Sequence, residues 1–456
     1  MATESTSQEE TIDISTDPEP GTQLTLISGA RIPRKPLLWD IHLKDGVISS
    51  LTPHILRRLE PPKPTVLEAG GRLLTPSLCH AHIHLDKCFL LQDPKFSDLR
   101  PTRGDFAEAL SLTQQAKSRF EPADLLRRGR VLIEESIRFG VTVMRAFVEV
   151  DAVVGLMCLQ AGVALKKEFQ NRCQVQLCAF AQDPLFSGPG ADETRALMEA
   201  AAQMEEVEVV GSTPYVEVDG STFSSDDGSF KNVKWISELA VQHGKQLDLH
   251  LDYTIVSTKK PFIWTALDIL NVFPTVSPLR NITLGHCTRL ASFSASEWDR
   301  VRSEIRKLPV SFVGLPTSDL FMMHSPSGAR GTLPIPEMIR SHGLNCALAV
   351  NNVGNAFTPW GSCDPLGVAS LGVGLFGAGT AQDAELLFEC VSSRAKEAIG
   401  CAVTTMELGV GEPADFVLFG KEEPNWRSRK RVVEVIADPG TARTTVKGGV
   451  VTSAAA

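Results

Sequence analysis

The chain has 456 residues, of which 43% are hydrophobic and 22% are charged, and its 45 Lys and Arg against 54 Asp and Glu leave a formal charge of -9. This composition is typical of a globular protein, and no basic cluster points to nucleic acid or to an anionic membrane surface. No apolar run is long enough to span a bilayer. The ten cysteines contain no Cys-x-x-Cys pair, which favours buried reduced thiols over disulfides. We therefore expect a cytoplasmic protein whose partner is a small-molecule substrate, and the sequence leaves open whether it forms a homo-oligomer.

A polar tail precedes a β-rich segment at the N-terminus. Residues 1–21 are acidic and rich in Ser, Thr and Glu. They lack a basic start and an apolar core, which predicts a disordered tail rather than a signal peptide. Leu24–Ala30 and Trp39–Leu43 have the composition of strands, and the turn at Lys44-Asp45-Gly46 leads into a further one. We assign residues 22–75 to the N-terminal part of a β domain.

From residue 76 to residue 400, short strands rich in Val, Ile and Leu alternate with helical segments. This alternation predicts a (β/α)8 TIM-like barrel. A doubly wound sheet is the alternative, but no Gly-rich phosphate loop follows any of the strands. The first predicted strand is the apolar run Leu73–Leu78, and the others are Val141–Val150, Cys173–Ala181, Val207–Tyr215, Gln246–Asp252, Asn281–Cys287, Val310–Leu315 and Cys346–Asn352.

The C-terminal segment, residues 401–456, returns to β-type sequence. Ala414–Leu418, Val432–Ile436 and Thr444–Val451 have the composition of strands. Because the two β-rich ends flank the barrel in sequence, we expect them to form one small β-sandwich domain. The segment Pro316–Leu333 is rich in Ser, Pro and Gly, and it predicts a mobile loop over the active face.

Histidines and polar residues recur where the predicted strands end. Alternation along an extended segment points His82 and His84 the same way, as suits two ligands of one transition metal. A bare His-x-His pair is more often two surface histidines. However, His250 and His286 follow the fifth and sixth strands, so four of the ten histidines fall at strand ends. Catalytic residues of such barrels lie at these ends. Two further strand ends carry Gln182 and the pair Asn351-Asn352.

The order of these motifs resembles the amidohydrolase superfamily. Within it the chain is similar to the branch that contains cytosine deaminase and isopropylammelide isopropylaminohydrolase. The resemblance covers nearly the whole chain except the N-terminal tail. The segments that carry it are His82–Lys87, Ala179–Gln182, His250–Asp252, Gly285–Thr288, Asn351–Gly361, Lys44–Ile48 and Gly411–Val417.

The resemblance implies one divalent metal ion bound by His82, His84 and His250. Zinc and iron are the expected metals, with manganese also open. The predicted fourth strand, Val207–Tyr215, contains no Lys that could be carboxylated to bridge two metals, which favours a single ion. The resemblance further implies that His286 contacts the metal-bound water and polarises the substrate.

The resemblance also assigns substrate contacts. Gln182 corresponds to a side chain that binds the amide-like edge of a ring, and Phe357 to an aromatic wall of the pocket. We also assign Tyr253 and Asn352 as candidate substrate contacts.

Two residues depart from the family pattern. Asn351 stands where the family has an Asp that ligates the metal and takes a proton, and Tyr253 stands where the branch commonly has a Glu. Asn is a neutral ligand that cannot act as a base near pH 7. The site therefore keeps the full metal charge, which lowers the pKa of a bound water. Candidate proton carriers are His286 and Asp252.

Three other charged residues near these motifs receive lesser roles. Asp364 lies beyond the eighth strand, and with Pro365 behind it the favoured interpretation is a helix N-cap. Asp86 and Lys87 follow the histidine pair directly. We expect Asp86 to orient a ligand histidine.

Together the motifs predict a metal-dependent amidohydrolase. Metal-bound hydroxide would cleave a C–N bond of a small cyclic amidine, amide or aminated heterocycle, as a deaminase or an amine-releasing hydrolase. Asn351 and Tyr253 keep a second interpretation open, in which the altered barrel binds a small ligand with little or no turnover. A third is a lactone hydrolysis or a decarboxylation on the same metal.

Overall fold

The computed structural model describes residues 17–55, 65–217, 225–273, 279–325, 328–420 and 429–455. Most of the predicted N-terminal tail, residues 1–16, lies outside these ranges. The strands are β1 Leu26–Arg31, β2 Leu38–Lys44, β3 Val47–Pro53, β4 Val66–Glu68, β5 Leu74–Pro76, β6 Leu78–His84, β7 Val141–Glu149, β8 Gln174–Ala181, β9 Val207–Ser212, β10 Gln246–Leu251, β11 Ile282–His286, β12 Val310–Gly314, β13 Cys346–Leu348, β14 Phe416–Phe419, β15 Arg443–Lys447 and β16 Val450–Ser453.

Helices follow most of the central strands. They are α1 Phe106–Lys117, α2 Pro122–Arg138, α3 Met157–Phe169, α4 Ala191–Gln203, α5 Gly228–Gln242, α6 Ile263–Leu270, α7 Ala295–Glu304, α8 Pro316–Met322, α9 Ile335–His342, α10 Pro365–Leu375, α11 Ala381–Cys390, α12 Ser393–Ala398 and α13 Val432–Ala437. Short 3-10 turns lie at Pro94–Phe96, Pro214–Val216, Thr288–Ser292 and Ile305–Lys307. Among the described residues, no helix combines the length and the apolar character needed to cross a membrane.

The central sheet is the predicted barrel. Its eight strands run in the order β13 to β6, each parallel to its neighbour. The ring is brought together by a parallel bridge between Ile83 and Asn351, and the His84 amide donates to the Asn351 carbonyl at 2.9 Å. Every residue of β7 is buried, as expected for a strand covered on one side by helices and on the other by the barrel interior.

The first barrel strand lies further along the chain than predicted. The apolar run is divided between β5, which pairs with β14 in the small sheet, and β6, which starts at Leu78 and enters the barrel. Both segments are fully buried, so hydrophobicity alone could not locate the boundary between them. As a consequence His82 and His84 lie on the strand itself, and not just past its end.

Both ends of the chain build the two antiparallel-type sheets beside the barrel, as the predicted fold class requires. One sheet has the order β3-β2-β1-β4, and the other has the order β16-β15-β14-β5. A common core joins them, with Ile27 and Ile41 from the first sheet packed in one cluster with Leu74, Phe416 and Val446 from the second. The boundaries at residues 22, 76 and 401 stay predictions.

Two segments adopt helices where the sequence predicted otherwise. Val432–Ile436 was predicted as a strand from its β-branched residues, yet it forms α13, whose contacts are with α10 and α11. Tertiary packing there overrides the intrinsic preference. Within Pro316–Leu333, which predicted a loop, α8 begins directly after β12 with Pro316 in its first turn, a position where Pro is well tolerated. Residues 326–327 lie outside the described part. All ten cysteines are free thiols and nine are buried, as predicted.

Candidate metal centre and active site

Three histidines meet inside the barrel. His82 and His84 lie on β6, and His250 lies one residue before the end of β10. Each offers a ring nitrogen, and the three nitrogens lie within 4.8 Å of one another. The ring centroids of His82 and His250 are 4.6 Å apart. The sequence placed these residues at strand ends, and the structure brings all three together.

The same three histidines fit a divalent metal. Both ring nitrogens of His82, Nδ1 of His84 and Nε2 of His250 are buried without a hydrogen-bond partner among the described residues. Burial lowers the pKa of each imidazole well below its ordinary value, so the rings are neutral near pH 7. A neutral, unpartnered imidazole nitrogen offers the lone pair that zinc and related metals bind.

Asn351 lies against this cluster through its backbone. Its amide donates to the His82 carbonyl at 3.1 Å, and its side-chain Oδ1 is buried without a partner among the described residues. The Asn351 backbone is left-handed, with φ 69°, which is uncommon outside glycine. Asn351 thus lies three residues past the end of β13, in a left-handed turn beside the three histidines.

His286 faces the histidine cluster from β11. Its ring centroid is 5.0 Å from that of His250 and 4.1 Å from that of Tyr253. Its Nδ1 lies 2.8 Å from Oδ1 of Asp319, a fully buried carboxylate on α8. Asp319 lies in the segment predicted as a loop, so the sequence analysis missed this partner. The run Pro-Thr-Ser-Asp after a barrel strand was the available signal of a helix start.

Asp252 does not take the position that was predicted for it. Its backbone is left-handed, with φ 47°, so the alternation that aligns His250 with the cluster ends before it. The carboxylate instead accepts hydrogen bonds from the amides of Phe262 and Ile263, at 2.8 and 2.9 Å. Asp252 therefore holds the start of α6 and does not line the cavity. Burial raises the pKa of this carboxyl to about 6.

The other predicted residues surround one small cavity of about 20 Å³, room for roughly one water molecule. Gln182, Tyr253, Asn352 and Phe357 all line it, as proposed for substrate contacts. The full lining comprises His84, Lys87, Phe106, Gln182, Tyr215, His250, Tyr253, His286, Asn351, Asn352 and Phe357. The sequence analysis missed Phe106, which follows no recognisable motif, and Tyr215, although Tyr215 ends the predicted fourth strand.

An aromatic wall closes this cavity. The Phe106 ring, at the start of α1, lies 5.6 Å from Tyr253 and 5.8 Å from Phe357, measured between centroids. Tyr215 lies 5.8 Å from Tyr253. Burial raises the pKa of both tyrosine hydroxyls, so they stay neutral and can donate or accept hydrogen bonds. The wall excludes bulk water while offering two hydroxyls.

Lys87 supplies the one formal charge among the cavity-lining residues. Its Nζ donates to Oε1 of Glu149 at 2.7 Å and lies 3.5 Å from Oε1 of Gln182. Oε2 of Glu149 lies 2.8 Å from Nζ of Lys117, which also pairs with Asp151. Although burial opposes ionisation, the charges of Lys117 and Lys87 lower the pKa of Glu149 to about 2. Among the described residues, no carboxylate lines the cavity itself.

The remaining acidic candidates have structural partners. Asp86 was expected to orient a ligand histidine, but its Oδ2 accepts from the Glu149 amide at 2.7 Å, which joins β6 to the end of β7. Asp364 caps α10 by accepting from the Leu366 amide at 3.0 Å and pairs with Arg443 at 2.6 Å. The favoured helix-cap interpretation of Asp364 is therefore confirmed.

Comparison with known proteins gives relatives over nearly the full chain, although no protein-family model matches. N-isopropylammelide isopropyl amidohydrolase of Pseudomonas sp. (strain ADP) is 23% identical over 408 residues, 88% of this chain and 92% of that protein. The crystal structure of 5-methylcytosine deaminase from Klebsiella pneumoniae, liganded with 5-fluorocytosine, superposes with a TM-score of 0.79 at 22% identity, over 94% of this chain and 98% of that one. An adenosine deaminase from Xanthomonas campestris with bound zinc has a TM-score of 0.66 at 16% identity, covering 96% and 94%.

Proposed function

We propose that this chain is a metal-dependent hydrolase. The comparisons confirm its resemblance to the branch of the amidohydrolase superfamily that contains cytosine deaminase and isopropylammelide isopropylaminohydrolase. The hydrolase cleaves a C–N bond of a small cyclic amidine, amide or aminated heterocycle. The observation that carries the proposal is that three neutral imidazoles meet beside His286, each with a ring nitrogen that has no hydrogen-bond partner among the described residues. The names of the relatives, a deaminase and an amidohydrolase, support the same bond type.

His82, His84 and His250 hold the metal, one ion per chain, with Asn351 beside them. When bound, a divalent ion supplies Lewis-acid activation of water and of the substrate. Zinc or iron suits three imidazole nitrogens. The side-chain amide of Asn351 does not ionise, so it cannot accept a proton from the attacking water.

The proton therefore moves through His286. With Nδ1 engaged by Asp319, Nε2 is the ring nitrogen left to take a proton from the attacking water and return it to the departing nitrogen. An imidazole can both accept and donate a proton, as the two transfers require. Gln182 and Asn352 offer amide groups to the polar edge of a ring, and Phe357 packs against its face.

The charge of the cavity also bears on the substrate. The part of the chain that the structure describes contributes an ammonium, Lys87, and no carboxylate to the lining. Such a cavity favours rings that present carbonyl oxygens or carry negative charge, and it disfavours protonated amidines.

A second candidate function rests on Asn351 and Tyr253, which leave the cavity without the carboxylates of the family pattern. In it the barrel binds a small ring with little or no turnover. The two candidates differ in one measurement, the release of ammonia or an amine by the wild-type protein.

The first experiment is elemental analysis of the purified protein, followed by amine-release assays on a panel of aminated pyrimidines and triazines. We expect about one zinc or iron per chain, lost in His82→Ala and in His250→Ala. The matched control is His324→Ala, at an exposed position away from the cluster, which should keep the metal.

Absence of metal after growth with added zinc or iron would overturn the hydrolase mechanism. Amine release by Asn351→Asp, with none by the metal-loaded wild type, would favour the ligand-binding candidate.

A further inference from the structure

The two carboxylate oxygens of the buried Asp319 contact different groups. Oδ2 accepts from the Thr332 hydroxyl at 2.7 Å and from the Leu315 amide at 3.3 Å, which fixes α8 to the end of β12. Oδ1 faces Nδ1 of His286 at 2.8 Å. Two donors are already directed at Oδ2, so Asp319 in its ionised form can act towards His286 only as an acceptor.

We infer that Asp319 is a positioning residue that sets the tautomer of His286. An acceptor at Oδ1 requires the ring proton on Nδ1, which leaves the lone pair of Nε2 to the cavity. This inference rests on the proposed function, because it supplies the bare nitrogen that takes the proton from water. Asp319 also gives the site a carboxylate that contacts its acid–base histidine, whereas Asn351 and Tyr253 replace the two carboxylates of the family pattern.

The backbone gives a reason why His286 needs a partner. Its φ is 64° and that of the next residue, Cys287, is 47°, so the strand geometry that aims His82 and His84 has ended at His286. Tyr253 packs against the His286 ring with the two ring planes tilted by 43°, a contact that does not distinguish the two nitrogens of His286. The hydrogen bond to Asp319 makes that distinction.

An Asp319→Asn variant separates this role from a purely structural one. The Thr332 hydroxyl and the Leu315 amide both donate to the Oδ2 position, so they hold the amide oxygen there. The amide NH2 then occupies the Oδ1 position and donates to Nδ1. Volume and the anchoring of α8 are preserved, while the ring proton is forced onto Nε2.

The test is 15N NMR of the zinc-loaded protein with labelled histidine, the His286 signals being assigned by their loss in His286→Gln. We expect the Nδ1–H tautomer in the wild type and the Nε2–H tautomer in Asp319→Asn. With a substrate from the assay panel, Asp319→Asn should lower kcat by about 10²–10⁴-fold. Its KM should stay within about threefold, a change of less than one neutral hydrogen bond, and its metal content should be unchanged.

Thr332→Val is the matched control, since it removes one donor to Oδ2 and leaves the contact with His286. It should retain the wild-type tautomer. The inference is overturned if the wild type has Nε2–H, or if Asp319→Asn keeps the wild-type tautomer or the wild-type kcat. The tautomer is read without turnover, so failure of the proposed function, a wild type that releases no amine, is recognised separately.

Discussion

The two halves of the site are built in different ways. The half proposed to hold the metal, called the metal half below, consists of His82, His84 and His250, which lie on barrel strands β6 and β10. The half proposed to transfer protons, called the proton-transfer half below, consists of His286, at a left-handed turn, and Asp319, on a short helix after the next strand. Strand geometry suffices to assemble ligands for a metal. A histidine that transfers protons also needs a hydrogen-bond partner that determines which of its two ring nitrogens carries the proton.

The charged groups show the same contrast. Within the described ranges, no carboxylate lines the cavity beside the three histidines, while the carboxylates of Glu149 and Asp319 contact Lys87 and His286. These two carboxylates thus contact the cavity through a partner residue, Lys87 or His286, and do not line it themselves. A buried carboxylate in this position orients its partner without competing for the metal.

The largest effect outside the metal ligands is expected from Lys87→Met, which removes the ammonium and leaves Glu149 with Lys117 alone. Breaking a buried ion pair costs about 3–5 kcal/mol, measured as the free energy of unfolding in urea. Arg130→Met is the matched control, because its pair with Glu168 is about 40% exposed on both sides and contributes less than about 1 kcal/mol.

The pH dependence of this pair has a defined sign. The folded-state pKa of Glu149, about 2, lies below its ordinary value of 4.5. Its contribution is therefore present above pH 4.5 and lost as the pH falls towards 2. Equal unfolding free energies for Lys87→Met and Arg130→Met would contradict the role assigned to the buried pair.

An intermediate effect is expected from Asn351→Asp, which adds an anionic oxygen to the metal half. Zinc affinity should rise by about 10–100-fold, the order of change that ligand tuning produces, as measured by competition with a chelator. Asn352→Asp is the control, because its Oδ1 is already engaged by Asn355 at 2.7 Å. Unchanged affinity in Asn351→Asp would show that this side chain does not face the metal.

The smallest effect is expected from Tyr253→Phe, which keeps the ring on His286 and removes only the hydroxyl. If Tyr253 binds substrate, KM should rise by about two- to tenfold, as for one neutral hydrogen bond, with kcat nearly unchanged. Steady-state kinetics on the best substrate of the panel measure both values. A fall in kcat larger than the rise in KM would instead place the hydroxyl in the proton-transfer half.

Local patterns predicted the barrel and the metal half. The alternation of strands and helices is visible in the sequence. Side chains two residues apart on a strand point to the same side, which predicted that His82 and His84 face the same way. The strand-end positions of His250 and His286 were likewise visible, because barrel sites lie at the carboxyl ends of strands. The helix cap at Asp364 followed from its neighbour Pro365.

Only the tertiary structure decided the partners. Asp319 is 33 residues from His286, and Glu149 is 62 residues from Lys87, distances over which a sequence pattern carries no pairing information. The Asp252 side chain does not point into the cavity, because its backbone is left-handed. Val432–Ala437 forms a helix that packs on α10 and α11. Sequence alone thus determined the periodic elements and the ligands they carry, since these depend on local geometry. The folded chain determined which buried charges meet, since burial is what makes each of them require a partner.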